Sequence, residues 1–349
     1  MARLGICATV TILGALALGA NTGCGGGETS GSGGTSGSTS TGGTSSGGAS
    51  SGGVGGSSGS GGAQVGIAQK YPGDKGIEGD PDVIFADDFE SYGQPSDLWN
   101  RWDNTFQEAQ TRIATEAENV YSGKQAVEFS MPQQDQELSN AVQKILTTEL
   151  DSIYLRWYSK FDKYNDITGS SHNGGGASAH YFVGNQATPG IPADGMNKFL
   201  MEFEHWRGDA ATKSPGALNV YIYHPEQRDN YGDHFFPTGL VMPNTSLPFD
   251  FGPDFEPQPD IIPDLDRYYC YEFMLKANTP GQRDGRITLW LDGKQIADFG
   301  NLRMRDIASL KIDRFNLSFH AGANPAGVTR KYYDNVVAAE SYIGPMAPP

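Results

Sequence analysis

Apolar and polar residues alternate with a period of two along most of the chain after residue 80, between segments rich in Gly, Pro, Asn and Asp. This pattern is typical of β-strands whose two faces meet different surroundings. It predicts strands at residues 83–89, 126–130, 153–161, 177–183, 198–206, 217–223, 268–276, 286–291, 314–319 and 331–338. Only residues 140–150 and 304–310 have a short helical pattern. Many short strands without crossover helices predict an all-β fold, a two-sheet antiparallel β-sandwich of the jelly-roll type over residues 76–345.

The same alternation separates a core face from a polar face on four of these strands. The polar faces hold Tyr154, Arg156, Tyr158 and Lys160; Ser178, His180 and Phe182; Glu202, Glu204 and Trp206; and Asn219, Tyr221 and Tyr223. An ordinary solvated face is rich in Thr, Ser, Lys and Glu, whereas these faces are rich in Tyr, His, Trp and Arg. Aromatic rings stack on sugars and the polar groups bond to sugar hydroxyls, so the pattern predicts a concave polysaccharide-binding groove.

Imidazole groups are concentrated in the same part of the chain. Five of the six histidines lie between His172 and His234, and residues 221–224 read Tyr-Ile-Tyr-His. A scaffold does not require such a cluster, whereas a site that moves protons or binds sugars does.

The first residues have the pattern of an export signal. Residues 1–23 contain Arg3, an uncharged apolar run at 4–20 and small residues before Cys24. This order resembles a bacterial lipoprotein signal, and it makes Cys24 the predicted lipidation site. The alternative is an ordinary secretion signal with an incidental cysteine, because Asn21 stands where an aliphatic residue is usual.

A low-complexity segment follows the signal. Residues 25–62 are Gly, Ser and Thr except for Glu28, Ala49 and Val54. Such a segment cannot bury enough apolar surface to fold, so we expect residues 24–66 to be a flexible tether of roughly 35 Å. Together, the signal and the tether predict an exported lipoprotein held by its N-terminal lipid at the outer membrane or cell surface, with secretion as the alternative.

Charge and cysteine content narrow the class of partner. The 349 residues carry a net charge of −16, which disfavours nucleic-acid binding. After Cys7 and Cys24, only Cys270 remains, so neither an internal disulfide nor a cysteine-rich zinc site is expected in the folded part. We expect Cys270 to be a buried thiol, the partner to be a polysaccharide, and the protein to be a monomer.

Several motifs between residues 153 and 343 resemble the alginate and glucuronan lyases of polysaccharide lyase family 14, which have a concanavalin A-like jelly roll. The matching segments are residues 154–161, Ser178-Ala179-His180, Tyr221-Ile222-Tyr223, 284–294, 315–322 and 333–336. The resemblance implies β-elimination on a uronic-acid-containing polysaccharide, with no cofactor required for catalysis. The family's lysine is missing from the Gly-rich stretch 169–174, and its Ser-x-Arg motif ends here in His180.

Under this resemblance, Tyr221 and Tyr223 are the expected base and acid, with His172 and His180 completing the catalytic set. The substrate carboxylate would be held by His172, His180, Asn173 or Arg156. The other expected substrate-binding residues are Ser178, Glu202, Glu204, Trp206 and Asn219.

Two other functions remain open from the residues. The same aromatic and polar groups suit a non-catalytic, lectin-like carbohydrate-binding protein. Glu202 and Glu204 lie two residues apart, so their Cα atoms are roughly 6.5–7 Å apart, and paired carboxylates near that distance carry out glycoside hydrolysis. A zinc site at His172, His180 and His224 has no supporting motif spacing.

A structural calcium ion is also expected. Glu90, Ser122 and Asp334 lie in segments that occur together in calcium-bearing jelly rolls, where oxygen ligands from the first and last strands meet. The alternative is that these carboxylates cap strand ends.

Overall fold

The computed structural model describes residues 65–169, 171–184 and 187–349. The predicted signal, Cys24 and almost all of the predicted tether lie outside the described residues. Within these ranges, no helix has the length and apolar character needed to cross a membrane.

The described residues form seventeen strands and six short 3₁₀ helices. The strands are β1 Val83–Asp87, β2 Asn104–Phe106, β3 Thr111–Ala114, β4 Ala126–Met131, β5 Leu138–Leu150, β6 Ser152–Phe161, β7 Ser171–His172, β8 Gly175–Ala179, β9 Phe199–Trp206, β10 Ala217–Tyr223, β11 Asp233–Phe235, β12 Val241–Met242, β13 Tyr269–Lys276, β14 Gly285–Leu291, β15 Lys294–Leu302, β16 Ile312–Ala321 and β17 Thr329–Ala339. The 3₁₀ helices are Ile67–Lys70, Pro72–Asp74, Ile77–Gly79, Pro95–Asn100, Glu108–Gln110 and Ala117–Asn119.

The strands pair antiparallel in two sheets. In the first sheet the order is β15-β14-β13-β6-β17-β4-β3, and β1 also pairs with β17. In the second sheet the order is β12-β11-β10-β9-β8-β16-β5-β2, and β7 also pairs with β16. The predicted two-sheet antiparallel β-sandwich is therefore confirmed, and each of the ten predicted strands overlaps a strand of the structure.

Aromatic side chains fill the space between the sheets. Trp157 of β6 stacks on Tyr271 of β13 with ring centroids 5.6 Å apart, and it meets Phe203 of β9 edge-on at 6.0 Å. All three side chains are almost fully buried. Since β6 and β13 belong to the first sheet and β9 to the second, these contacts hold the two layers together.

The outward face of the first sheet is covered by the chain itself. The backbone N–H groups of Ile67 and Ala68 donate to Tyr342 and Ile343 at 3.0 and 2.9 Å. Ile67, with neighbouring apolar residues, packs on Val337 of β17. The folded domain therefore includes residues before 76, the predicted start. The outward face of the second sheet, in contrast, carries the polar and aromatic side chains described below.

Two local predictions have different outcomes. Asp292 and Gly293 form the predicted hairpin turn between β14 and β15, and both have positive φ angles. The predicted helix at 140–150 is wrong, because this segment is most of β5 and pairs with β16 and β2. Residues 304–310 form bends and turns rather than a helix. Cys270 is buried as expected.

Candidate functional site

A cluster of imidazole, carboxyl and aromatic groups lies on the outward face of the second sheet, and we call it the histidine face. It consists of His172, Glu202, Glu204, Trp206, Asn219, Tyr221, His234, Asn316 and His320. Since side chains alternate between the two faces of a strand, the register of the strands decides which of them become neighbours.

Strands β9, β10 and β11 supply six of the nine residues of the histidine face. Glu202 pairs with Tyr221, and Tyr221 pairs with His234, so the three form a row across the strands. Glu204 pairs with Asn219 in the adjacent row. Three consecutive strands thus place most of their functional groups in two rows.

Strands β7 and β16 supply the other three residues, and β8 lies between β9 and β16. His172 pairs with His320. Gly176 lies between Glu202 of β9 and Asn316 of β16. A Cβ atom at Gly176 would collide with the carboxyl group of Glu202. The glycine therefore leaves the space in which Asn316 Nδ2 donates to Glu202 Oε1 at 2.8 Å.

The rings of the histidine face are in contact. The centroid of His172 lies 4.4 Å from Tyr221 and 5.2 Å from His320. His234 lies 4.9 Å from Tyr221 and 4.4 Å from Trp206. The side chain of His172 is 30 % exposed, so solvent or substrate can reach this imidazole.

Glu204 lies beneath His172 and is fully buried. Its Oε2 is 2.9 Å from Nδ1 of His172, and its Oε1 has no hydrogen-bond partner among the described residues. Burial raises the pKa of Glu204 well above its usual value and lowers the pKa of His172 to about 4. We therefore assign a protonated Glu204 that donates to Nδ1, which leaves the proton of the neutral imidazole on Nε2.

His234 carries its proton on the other ring nitrogen, Nδ1. Its Nδ1 is 2.9 Å from Oδ1 of Asn219. Nδ2 of Asn219 donates to the carbonyl oxygens of Glu204 and Ala217, both at 3.4 Å, which fixes the orientation of the amide. An amide oxygen only accepts, so Nδ1 of His234 carries the proton. Burial lowers the pKa of His234 to about 3, and its Nε2 is then an unprotonated base at neutral pH.

Glu202 is a second neutral carboxyl group. Burial, and to a smaller extent the nearby Glu204, raises the pKa of Glu202 to about 8. Because Asn316 donates to Oε1, the acid proton belongs on Oε2, which has no partner within the described part of the chain. At neutral pH the centre of the histidine face therefore holds hydrogen-bonding groups with little net charge.

The two predicted catalytic tyrosines are buried, and their hydroxyl groups already accept hydrogen bonds from the backbone. Tyr221 is 6 % exposed and its hydroxyl accepts from the N–H of Gly232 at 3.1 Å. Tyr223 is fully buried and its hydroxyl accepts from Gly190 at 3.2 Å. Burial raises the pKa of both hydroxyls. Neither tyrosine thus has the lowered pKa that a base at neutral pH requires.

Arg156 and His180 are not part of the histidine face, contrary to expectation. Arg156 lies on the outward side of the first sheet, fully buried, where it ion-pairs with Asp74. His180 follows the end of β8, and its Nε2 is 3.1 Å from Oε1 of Glu149. Alternation along the strand had placed both residues on polar faces, but it did not specify which sheet or which end of a strand they occupy.

Asn173 faces the space between the sheets rather than the site. Its Oδ1 accepts from the backbone N–H and Nδ1 of His205, both at 3.0 Å, and its Nδ2 donates to Ser171 Oγ at 3.0 Å. The backbone oxygen of Asn173 accepts from the fully buried Lys331. Its amide is therefore structural, which corrects the expectation that it binds a carboxylate. Ser178 lies on the outward face, opposite Arg314, and is 2 % exposed.

Three members of the histidine face were absent from the sequence-based set of site residues. His234 lies on the three-residue strand β11, too short to show alternation. Asn316 and His320 lie on β16, where Phe315, Leu317 and Phe319 face the core. The alternation on β16 could have identified these two, although their neighbours depend on register.

The residues predicted to bind calcium are close together but already hydrogen-bonded. Asp334 Oδ2 accepts from the N–H groups of Tyr121 and Ser122, at 2.9 and 3.2 Å. Glu90 Oε1 accepts from Lys124 and Gln125 at 2.7 and 2.8 Å. These contacts fit the capping alternative better than a cation site. In the described ranges, no group of three or more His, Cys, Asp or Glu side chains is placed to hold a metal ion. This finding includes the zinc set of His172, His180 and His224.

Comparison with solved structures identifies the type of fold. The alginate lyase Aly36B superimposes with a TM-score of 0.54 at 16 % identity, covering 75 % of this chain and 98 % of that one. A variant of the same lyase in complex with alginate tetrasaccharide gives 0.53, with 16 % identity and coverage of 75 % and 98 %. The fold is the polysaccharide-lyase type of jelly roll.

A third similar structure is alginate lyase vAL-1 from Chlorella virus, with a TM-score of 0.51, 16 % identity, and coverage of 74 % of this chain and 100 % of that one. No protein-family model and no curated protein matches the sequence. At these identities the likeness concerns the fold, and the chemistry has to be argued from the histidine face itself.

Proposed function

We propose that the histidine face binds a uronic-acid-containing polysaccharide and cleaves it by β-elimination. The observation that carries this proposal is that two imidazoles on either side of Tyr221 have different Nδ1 partners, a carboxyl group for His172 and an amide oxygen for His234, and their protonation is assigned from these partners. His172 presents a proton on Nε2, and His234 presents a lone pair on Nε2. An acid and a base placed on the two sides of one ring are what an elimination needs.

In the proposed reaction, His234 Nε2 removes the proton from the carbon next to the uronate carboxyl group. Burial makes this imidazole a weak base in the empty site, and the negative charge of the bound uronate raises its pKa. The electron pair of that C–H bond forms a double bond as the bond to the leaving glycosidic oxygen breaks. His172 gives its Nε2 proton to this oxygen, and Glu204 passes its own proton to Nδ1. Solvent then takes the proton from His234 and restores Glu204.

The substrate carboxylate must be stabilised as charge develops next to it. Asn316 Nδ2 has a second N–H beyond the one it donates to Glu202, and its side chain is partly exposed. We assign it to the carboxylate. Two of the similar structures are alginate lyases, and one of them holds an alginate tetrasaccharide, which supports a uronate polymer as the substrate class.

The test is the ultraviolet absorbance of the conjugated double bond formed from a panel of uronate polysaccharides. We expect His234→Gln and His172→Gln each to lower kcat by about 10²–10⁴-fold, the usual effect of removing an acid or base. His180→Gln is the matched control, because His180 lies outside the histidine face, and it should keep wild-type turnover.

Other outcomes would favour the two alternatives. Binding of oligosaccharides without an unsaturated product from any uronate polymer would replace the lyase with a lectin-like protein. New reducing ends without the absorbance signal would indicate hydrolysis. Hydrolysis by Glu202 and Glu204 is disfavoured, because Glu204 is fully buried beneath His172 and cannot contact a sugar in this arrangement.

A further inference from the structure

A row of residues with small side chains at its centre crosses the second sheet and ends at Glu204 of the histidine face. From the edge strand β2 inward it consists of Phe106, Ala141, Ser318, Gly174 and Glu204. Phe106 pairs with Ala141, and Ala141 pairs with Ser318. The N–H of Ser318 donates to the carbonyl oxygen of Gly174 at 2.9 Å, and Gly174 lies against Glu204. We call this set the cross-strand row.

Longer polar side chains border the cross-strand row on both sides. His320 and Ser139 form a pair on one side, and Asn316 and Gln143 form a pair on the other. A Cβ atom at Gly174 would collide with the backbone of Phe203, so this position of the row has no room for a side chain. The row is therefore lower than its two borders, and the borders offer imidazole, hydroxyl and amide groups.

Two observations indicate that a ligand lies along the row. The hydroxyl of Ser318 is buried and has no hydrogen-bond partner among the described residues. Such an atom costs free energy unless something bonds to it. At the far end, the side chain of Phe106 is 40 % exposed on an edge strand and pairs with Ala141, so its ring is available to stack on a sugar.

The dimensions suit a polysaccharide. Four strand spacings separate β9 from β2, which is about 19 Å, and one sugar of an extended chain is about as long as one spacing. We propose that the polysaccharide crosses the strands along the cross-strand row, and that Phe106 stacks on a pyranose about four sugars from the histidines. This inference rests on the proposed function and adds a distal subsite to it.

The experiment compares affinity for oligouronates from dimer to hexamer, measured by calorimetry on the full chain. Wild-type affinity should increase with length until the oligosaccharide reaches Phe106. Phe106→Ala should remove that last increase, about five- to tenfold, and leave the affinity for a dimer unchanged. Phe106→Tyr, which keeps the ring, should restore it. Phe182→Ala, at an exposed aromatic residue outside the row, is the control and should have no effect.

A second variant, Ala141→Trp, fills the row at a half-exposed position and should weaken binding of the hexamer but not of the dimer. If the wild type binds oligouronates but Phe106→Ala keeps the full dependence on length, the subsite is refuted and the proposed function stands. If binding depends on Phe106 for neutral oligosaccharides but uronates do not bind, the subsite stands and the proposed function fails.

Discussion

Replacing Glu204 with glutamine tests the proton assignment of the histidine face. Glu204 is fully buried, with Oε2 2.9 Å from Nδ1 of His172. Burial raises the pKa of Glu204, and the proton assigned to its carboxyl group is donated to Nδ1. Glutamine has nearly the same shape and offers an N–H donor at the same place, but it has no proton to pass to Nδ1 during the reaction. Glu204→Gln should therefore keep the fold and lower kcat by about 10²–10⁴-fold, the usual effect of removing an acid.

The magnitude differs if Glu204 only orients His172. One neutral hydrogen bond then replaces another, so Glu204→Gln should keep kcat within about threefold of the wild type. Glu204→Ala should be harmful under either assignment. It leaves Nδ1 of His172 without a partner, which costs about 1–3 kcal/mol, and it opens a cavity.

The assay is the initial rate of unsaturated product at neutral pH for the wild type and both variants, with thermal melting as the measure of folding. The expected order of activity is the wild type well above both variants, with the melting temperature of Glu204→Gln close to that of the wild type and that of Glu204→Ala lower. A normally folded Glu204→Gln protein with kcat within about threefold of the wild type would refute the proton transfer from Glu204. Glu204 would then only position His172.

Four other predictions follow from the same contacts. Arg156→Met should lower the free energy of unfolding by about 3–5 kcal/mol, because it leaves a buried carboxylate unpaired, and should keep turnover measured below Tm; lost turnover at unchanged stability would contradict this. The stability of the wild type relative to His172→Gln should fall as pH falls from 6.5 towards 4, because burial lowers the pKa of His172 to about 4 and the unfolded chain takes up protons first; a difference that does not change with pH would oppose it. If Glu90 and Asp334 share a calcium ion, a chelator should lower Tm in the wild type but not in Asp334→Ala, and equal melting curves would leave only strand capping. If Cys24 carries a lipid, labelling with a fatty-acid probe should disappear in Cys24→Ala, and persistent labelling would exclude this site.

Much of the fold could be predicted from the alternation of apolar and polar residues. Strands β9 and β10 are the best examples, since Phe203 and Val220 face the core while Glu204 and Tyr221 face outward, as predicted. The Asp292-Gly293 turn was equally predictable, because a two-residue hairpin needs residues that tolerate positive φ. In these cases the local pattern and the tertiary structure agree.

Where prediction failed, tertiary contacts decided the outcome. Residues 140–150 contain apolar residues at helical spacing, yet β5 lies between β16 and β2, and its backbone hydrogen bonds go to those strands. Arg156 lies on a polar face, as the alternation requires, but that face belongs to the first sheet and is covered by Asp74 and its neighbours. Alternation identifies two faces of a strand, not which of them the rest of the chain will cover.

The composition of the site was harder to predict because it depends on register. His172, His234 and His320 are far apart in the sequence, and a shift of one residue in β11 or β16 would turn one of them into the core. A local motif such as Tyr221-Ile222-Tyr223 can be recognised without knowing the register, so the catalytic roles were assigned to its tyrosines. The structure buries Tyr223 and leaves His172 as the more accessible group.

The missing lysine changes how this face would handle an anionic substrate. The sequence has a net charge of −16, and the centre of the histidine face holds imidazoles and carboxyl groups that burial keeps neutral. A uronate carboxylate would meet hydrogen-bond donors there rather than a fixed cation. Such a site avoids the cost of burying a charge before substrate arrives, but it gains little long-range attraction for a polyanion. Contacts spread along the polysaccharide, such as the proposed stacking at Phe106, would then have to supply affinity that a lysine would otherwise provide.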